Sequence, residues 1–569
     1  MSDSRPHLRV VLCWHMHQPQ YLDPVSDRYE LPWTYLHAIK DYVDMAAHLE
    51  RVPGARAVVN FTPTLLEQLD HYSDALREHL RGGAPLPDPL LGALAAPEMP
   101  REPEARAELA RACLRANEQR MINRFPAFRR LADMAGWVEQ HPALAEYVNE
   151  RFLADLLVWY HLAWLGETVH RDNDAVRGMI QRGAGFDYED RRRLLELIAE
   201  LLSGVVPRYR RLAEQGKIEL SVTPYAHPIM PLLLELGSAR QAIPDLALPR
   251  HRSYPGGEAR VRRHIEQALV VFDRHFGFRP TGVWPAEGAV SKAGLGLLDE
   301  YGFRWAATGG QVLRNTLERG RTGGGETQRC LHRPYRLQGQ RLMCFFRDDG
   351  LSDLIGFSFS DWHADDAVGN LIHHLENIAL SCRGHDDAVT AIVLDGENAW
   401  EHYPENGYHF LDALYDRLAA HPQLELTTFE QCVERCSRPV ELSGLVAGSW
   451  VYGTLTTWIG HPDKNRAWDM LVEAKRVYDE VMTSGELDAA EARRAEHQLA
   501  VCEGSDWFWW FGDENPASSV RDFDRLYRTQ LTRLYELLGR PAPEYLSRMF
   551  THGGGAPARG GVMRPGVHP

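Results

Sequence analysis

Seven short apolar runs, each broken by a cluster of polar residues, glycine or proline, constrain the fold of this chain more than any other feature. The first, residues 7–14 (HLRVVLCW), breaks into His15-Met16-His17-Gln18-Pro19. Ala57–Phe61 ends in Thr62-Pro63-Thr64, and Ile218–Val222 spills into Thr223-Pro224 and on to His227-Pro228. Residues 282–284 stop at Pro285 and reach Glu287, and residues 303–307 end in Thr308-Gly309-Gly310. Residues 341–346 end in Arg347-Asp348-Asp349, and residues 389–394 end in Asp395-Gly396-Glu397. Runs of this length, β-branched or aromatic and closed by strand breakers, fit buried strands. Most are followed by a helix-like segment, so the pattern predicts an α/β fold, a parallel (β/α)7 barrel. An eighth strand has no place except TTF near Thr427.

Between about residues 65 and 215 the runs give way to long segments with apolar residues three and four apart, which predicts a helical insertion. From about residue 441 the chain turns helical again, with embedded tryptophans. This divides the chain into a catalytic barrel domain over 1–440, a helical region over 441–550 that completes the cleft, and a Gly/Pro-rich tail over 551–569 expected to be disordered. A chain of 569 residues is too long for one ordinary core, which suits this division.

The formal charge of -15, with no basic cluster interleaved with aromatics, argues against nucleic acid and anionic membranes as partners. The start, MSDSRPHLRV, has no apolar core of an export signal, and no apolar stretch reaches membrane-spanning length. A cytoplasmic location is therefore expected. The eight cysteines form no CxxC pairs, and Cys432 and Cys436, four apart, lack a second pair, so reduced thiols are expected.

Pro285 biases Trp284 to extended backbone, which puts Glu287 on the turn leaving a strand, where barrel enzymes keep their chemistry. Asp395 closes the seventh run in the same way. Two carboxylates on one rim are the minimum apparatus for cleaving a glycosidic bond, one as nucleophile and one as acid and then base. Trp284 and Trp400 stand beside them in sequence, and aromatic faces suit the C–H patches of pyranose rings. Taken singly, each tryptophan reads more simply as core packing, whereas Trp507, Trp509 and Trp510 in one short span are harder to bury together.

On these residues the chain resembles glycoside hydrolase family 57, in its amylopullulanase-like and α-amylase-like branch. Its motifs are matched in order by His15-Met16-His17-Gln18-Pro19, Gly216-Lys217-Ile218-Glu219-Leu220, Trp284-Pro285-Ala286-Glu287, Asp395 to Glu401, and Ser505-Asp506-Trp507. The resemblance implies a retaining enzyme on α-glucans with an incomplete, seven-stranded barrel, Glu287 as nucleophile and Asp395 as acid/base. The segment 346–357 (FRDDGLSDLIGF) also resembles the branch and makes Asp353 the second candidate for the acid. Gly309 and Gly310 depart from it, standing where relatives usually carry acidic residues.

The candidate substrate-binding residues are His15, His17, Gln18, Glu219, His227, Trp284, Arg347, Asp353, Glu397, Trp400, Trp450, Trp458 (after Thr457), His461, Asp506 and Trp507. His15 and His17 share one face of a strand, an arrangement also used for zinc, with Asp348 or Asp395 as an oxygen ligand. That rival would be a zinc mannosidase or deacetylase. No thiolate partner is supplied and the resembled family works without a catalytic metal, so no metal and no cofactor is expected. The remaining alternatives are a 4-α-glucanotransferase or branching enzyme with the same pair, and a glucan-binding protein without catalysis.

Overall fold

The computed structural model describes residues 8–319, 331–556 and 563–566. Seven parallel strands form the barrel: β1 (Leu8–Met16), β2 (Ala57–Phe61), β3 (Ile218–Val222), β4 (Gly282–Val283), β5 (Trp305–Gly309), β6 (Met343–Arg347) and β7 (Val389–Asp395). They pair in that order, β7 returns to β1, and a bridge between Ala391 and Arg347 closes the cylinder. All seven expected runs are strands. The register sets His15 beside Asp395 on one side and beside Asn60 on the other, so the first histidine and the candidate acid stand at the same height on the C-terminal rim.

The Thr427 segment does form a strand, β8 (Leu424–Thr427), but it pairs only with the lower part of β1, Leu8 to Val11. Higher up, Cys13 to Met16 of the nine-residue β1 pairs with β2 instead. The barrel is thus seven-stranded where the chemistry sits and wedged open by β8 at the opposite end. β4 is only two residues long because Pro285 has no N–H to continue the ladder. A Cβ on Gly282 would lie 1.8 Å from the Trp305 ring, so glycine there admits a large aromatic side chain to the interior.

Between β2 and β3 the chain is helical, its longest members being Pro63–Gly82, Pro126–Gln140 and Tyr188–Glu214. The insertion is fastened to the barrel side by buried Asp44, whose carboxylate accepts the backbone N–H groups of Glu167 and Thr168. After β8 come the helices Pro462–Ser484, Ala489–Cys502, Asp506–Trp510 and Ala517–Leu537. They are anchored by Glu503, fully buried, which accepts from Tyr254, Arg260 and His264. Burial opposes its charge, but Arg260 and His264 outweigh that and hold the carboxyl down at about 2. No described helix is long and apolar enough to cross a membrane.

The expectation of a disordered tail needs correction for residues 551–556 and 563–566. Thr551 is fully buried and its hydroxyl accepts from Gly512 N–H, and Arg564 and Gly566 are buried as well. The rest of that stretch lies outside the described residues.

Candidate active site

Glu287 follows Pro285 on a single turn and holds a left-handed backbone, φ 58°. That conformation is strained for a residue with a side chain and persists only where the surroundings impose it. Two hydrogen bonds impose it here, both from Trp450. Its backbone N–H donates to the Glu287 carbonyl at 3.1 Å, and its indole N–H donates to Oε2 at 3.0 Å. The partner segment arrives through a two-residue bridge of Val290 with Gly448. A second bridge, Pro228 with Gly504, brings Ser505 and Asp506 to the β3 end. Ala226 and His227 there are also left-handed.

Asp395 ends β7, and Asn398 donates to its Oδ2 at 2.9 Å. Glu287 and Asp395 line the same cleft, about 1510 Å³ in volume. Burial raises both carboxyls, Asp395 to about 6 against the pull of Asn398, His17 and Arg347. Glu287 is pushed well above the carboxylate range by burial and then by Asp395 and Asp506, with Trp450 and Arg564 opposing. Two such groups in one cleft disfavour double ionisation, which favours a singly protonated pair.

Three imidazoles form the wall next to the pair. His15 Nδ1 meets Asn60 Oδ1 at 2.7 Å, and its Nε2 meets His227 Nε2 at 3.1 Å. His227 Nδ1 lies 2.8 Å from Ser505 Oγ. Since the Asn60 oxygen can only accept, His15 donates from Nδ1, His227 donates from Nε2, and Ser505 donates to His227, an assignment inferred from the network. Burial and the neighbouring imidazoles lower His15 to about 3 and His227 well below its usual value, so both are neutral. His17 bonds Thr62 and Asp506, the latter at 2.7 Å. The nitrogens of the three residues lie close enough for a shared ion. In this structure those nitrogens are engaged in hydrogen bonds, His15 and His227 with each other and with Asn60 and Ser505, His17 with Thr62 and Asp506.

The structure brings nine of the sequence candidates to the cleft: His15, His17, Gln18, His227, Glu287, Asp395, Glu397, Trp450 and Asp506. Glu397 accepts from His17 N–H and Gln18 through Oε1, while its Oε2 is buried without a partner. Other candidates stand elsewhere. Glu219 points to the opposite end of the barrel, accepting from the Trp305 indole and from the Glu430 N–H in the first turn of helix Phe429–Arg435. Trp284, Trp400, Trp458 and Trp507 are packed inside, none more than 1% exposed. Trp400 donates to Gly396 O and Trp507 to Val501 O. His461 caps helix Pro462–Ser484 through Asp463 N–H.

Arg347 is buried and fully engaged by Val393 O, Asp349 and Asp353, with its guanidinium 5.2 Å from the Trp450 ring. Asp353, tied to Arg347 and to Gly566 N–H, does not line the cleft and is poorly placed as an acid. Trp33 lines the cleft without any sequence motif marking it, and in the last motif Trp509 and Trp510 line the cleft instead of Trp507. Helical spacing carries a signal for Trp509 alone, two positions from Trp507, which packs on Tyr527; Trp510 is three positions from Trp507 and stacks on Phe523, so its place at the cleft is not legible from the spacing.

Gly309 explains itself by space. A Cβ there would lie 2.7 Å from Trp450 Cα and 2.9 Å from Ser449 O, backbone atoms that hold Trp450 over Glu287. Gly309→Ala is expected to cost about 1–3 kcal/mol from overpacking and to lower kcat more than thermal stability alone accounts for. Unchanged kcat with a lowered melting temperature would separate Gly309 from the Trp450 contact.

The sequence model of Glycosyl hydrolase family 57 matches residues 11–443. No curated protein matches the chain. Among solved structures, the α-amylase AmyC from Thermotoga maritima aligns with TM-score 0.57 and 14% identity, covering 95% of this chain and 95% of that one. A GH57 branching enzyme from Thermococcus kodakaraensis aligns with TM-score 0.55 and 15% identity over 93% and 90%. A 4-α-glucanotransferase from Thermococcus litoralis aligns with TM-score 0.51 and 13% identity over 93% and 60%. At such identities the likeness is one of fold. The family match spans three quarters of the sequence and includes both strand ends that carry the paired carboxyls, and on that ground the chain belongs to glycosyl hydrolase family 57.

Proposed function

We propose that the protein is a retaining enzyme of α-glucans, acting on starch, glycogen or maltooligosaccharides. The observation that carries this reading is the pairing of Glu287 and Asp395 in one cleft of about 1510 Å³, larger than the roughly 300–1,000 Å³ of small-molecule sites. Trp33, Trp450, Trp509 and Trp510 line it, offering faces for sugar rings, and neutral imidazoles and carboxylates offer partners for hydroxyls. In the first step Glu287 attacks the anomeric carbon while Asp395 gives its proton to the departing oxygen. In the second Asp395 takes a proton from water, which displaces Glu287.

Transfer uses the same covalent intermediate with a sugar hydroxyl in place of water. It is favoured by the extent of the cleft, which continues past the carboxyl pair over helix Pro103–Ala112 to Glu139 and leaves room for an acceptor chain. A 4-α-glucanotransferase or branching enzyme is therefore the second reading, in line with the fold neighbours. Incubation with maltoheptaose, with products resolved by size and reducing ends counted, separates the two. Hydrolysis is expected as shorter chains with new reducing ends. Longer chains at constant reducing ends assign transfer, and no turnover removes both readings.

A further inference from the structure

After its last long helix the chain returns to the catalytic wall twice. Gly554 and Gly555 N–H both donate to the Asn515 carbonyl. Farther on, Arg564 reaches the same asparagine from its side-chain direction, donating to Asn515 Oδ1 at 3.2 Å and to Trp509 O at 3.5 Å, and it pairs with Glu514 at 2.8 Å. Its guanidinium carbon stands 4.8 Å from the centre of the Trp509 ring. Two residues later Gly566 N–H donates to Asp353 Oδ2 at 2.8 Å. A Cβ on Gly566 would lie 2.4 Å from the Arg347 guanidinium, so only glycine packs this closely.

These contacts fall on both supports of the cleft wall. Helix Asp506–Trp510 carries Trp509 and Trp510, and the carbonyls at its end lack partners along the helix. Asn515 Nδ2 satisfies both, at 2.8 and 3.1 Å, and Arg564 adds a cation at the carbonyl end, where positive charge is favoured. On the other side runs an unbroken series: Gly566 to Asp353, Asp353 to Arg347, Arg347 over Trp450, Trp450 to Glu287. An arginine as buried as Arg564, 9% exposed, needs its acceptors found. Those it finds are the ones that fix the orientation of the Trp509 face.

We propose that residues 563–566 are a working part of the active site, with Arg564 as the positioning residue that sets the Trp509–Trp510 face against which a glucan chain lies. This rests on the α-glucan reading. Loss of the cation would take away one side of the packing on Trp509, whose other neighbours include Trp458, shift the set of its ring and weaken binding of chains long enough to reach it, while chemistry at the scissile bond continues. The Arg564 charge also opposes the rise of the Glu287 pKa, so its removal moves the acid limb of kcat/KM to higher pH.

The test uses the full chain with Arg564→Ala and Arg564→Lys. In Arg564→Ala, KM for maltoheptaose is expected to rise about tenfold, the scale of one lost cation–π and stacking contact, with kcat changed less than about threefold. KM for an activated aryl α-glucoside, too short to reach Trp509, stays put. Arg564→Lys restores the acid limb and part of the KM. A merely structural role gives lower melting temperature with unchanged KM and pH limb, and overturns the proposal. Labelling with 5-fluorotryptophan gives a readout that needs no substrate. The 19F resonance that vanishes in Trp509→Phe is expected to move in Arg564→Ala, and an unmoved resonance also overturns the proposal. If wild type fails to turn over maltoheptaose, the α-glucan reading falls, and the 19F signal still decides whether Arg564 positions Trp509.

Discussion

Glu287→Gln is expected to remove nearly all turnover, on the order of 10⁴-fold, or about 5.4 kcal/mol of transition-state stabilisation. The amide is close in size to the carboxylate and its oxygen still accepts the Trp450 indole N–H, so the strained turn and the fold are retained. What it cannot do is form the ester to the anomeric carbon. Glucan affinity is expected to survive, because the amide also relieves repulsion from Asp395 and Asp506, the two carboxylates that raise Glu287. Stopped assays for turnover beside calorimetric binding of maltoheptaose check both halves. Activity within about tenfold of wild type would sink the assignment, since a covalent step cannot be bypassed at so small a loss.

The strand ends were legible because each is marked twice, by a β-branched run and by the breaker that stops it. His15, Glu287 and Asp395 fall at such junctions, and the barrel brings them to one rim. Residues in the interior of a motif were harder to read. Glu219 sits second in its strand, so the alternation of the sheet and the direction of the chain carry it to the far end of the barrel, away from the rim. Trp284 and Trp400 adjoin the catalytic residues in sequence but face the packed layer behind them. Trp509 and Trp510 reach the cleft from a short helix far away in sequence, brought to the β3 end by the bridge of Pro228 with Gly504, and Trp33 from the start of helix Trp33–His37. The same holds for Gly309: in sequence it is a departure from the acidic residue of the resembled family, and the structure accounts for it by the close approach of the Trp450 backbone.

Asp395→Asn is expected to cripple natural glucans and to spare substrates whose leaving group needs no proton. Burial raises the Asp395 carboxyl to about 6, so it carries its proton below that pH, and because Glu287 is raised as well, the reactive arrangement, Glu287 ionised and Asp395 protonated, is one of the two ways in which the pair holds a single proton. For a poor leaving group such as a sugar hydroxyl, the loss of that proton is expected to lower kcat/KM by about 10²–10⁴-fold, the usual contribution of a positioned general acid. An activated aryl α-glucoside departs unaided, so its glycosylation step is expected to stay near wild type, with deglycosylation becoming the slow step and a burst of phenolate appearing. Raising the pH imitates the mutation in part. In wild type the rate on glucans falls as pH rises through the acid's pKa, whereas the aryl substrate, which needs only ionised Glu287, keeps its rate there. Retention further requires the two carboxyls to lie about 5 to 5.5 Å apart when substrate is bound, against about 6.5 to 9.5 Å for inversion, and the anomer released first from maltoheptaose, read by NMR, reports which holds. Equal losses on both substrates would take the role from Asp395. Asp353, held by Arg347 and Gly566 outside the cleft, could not inherit it, and Glu397, buried in the cleft with one oxygen unpartnered, would be the carboxyl to replace next.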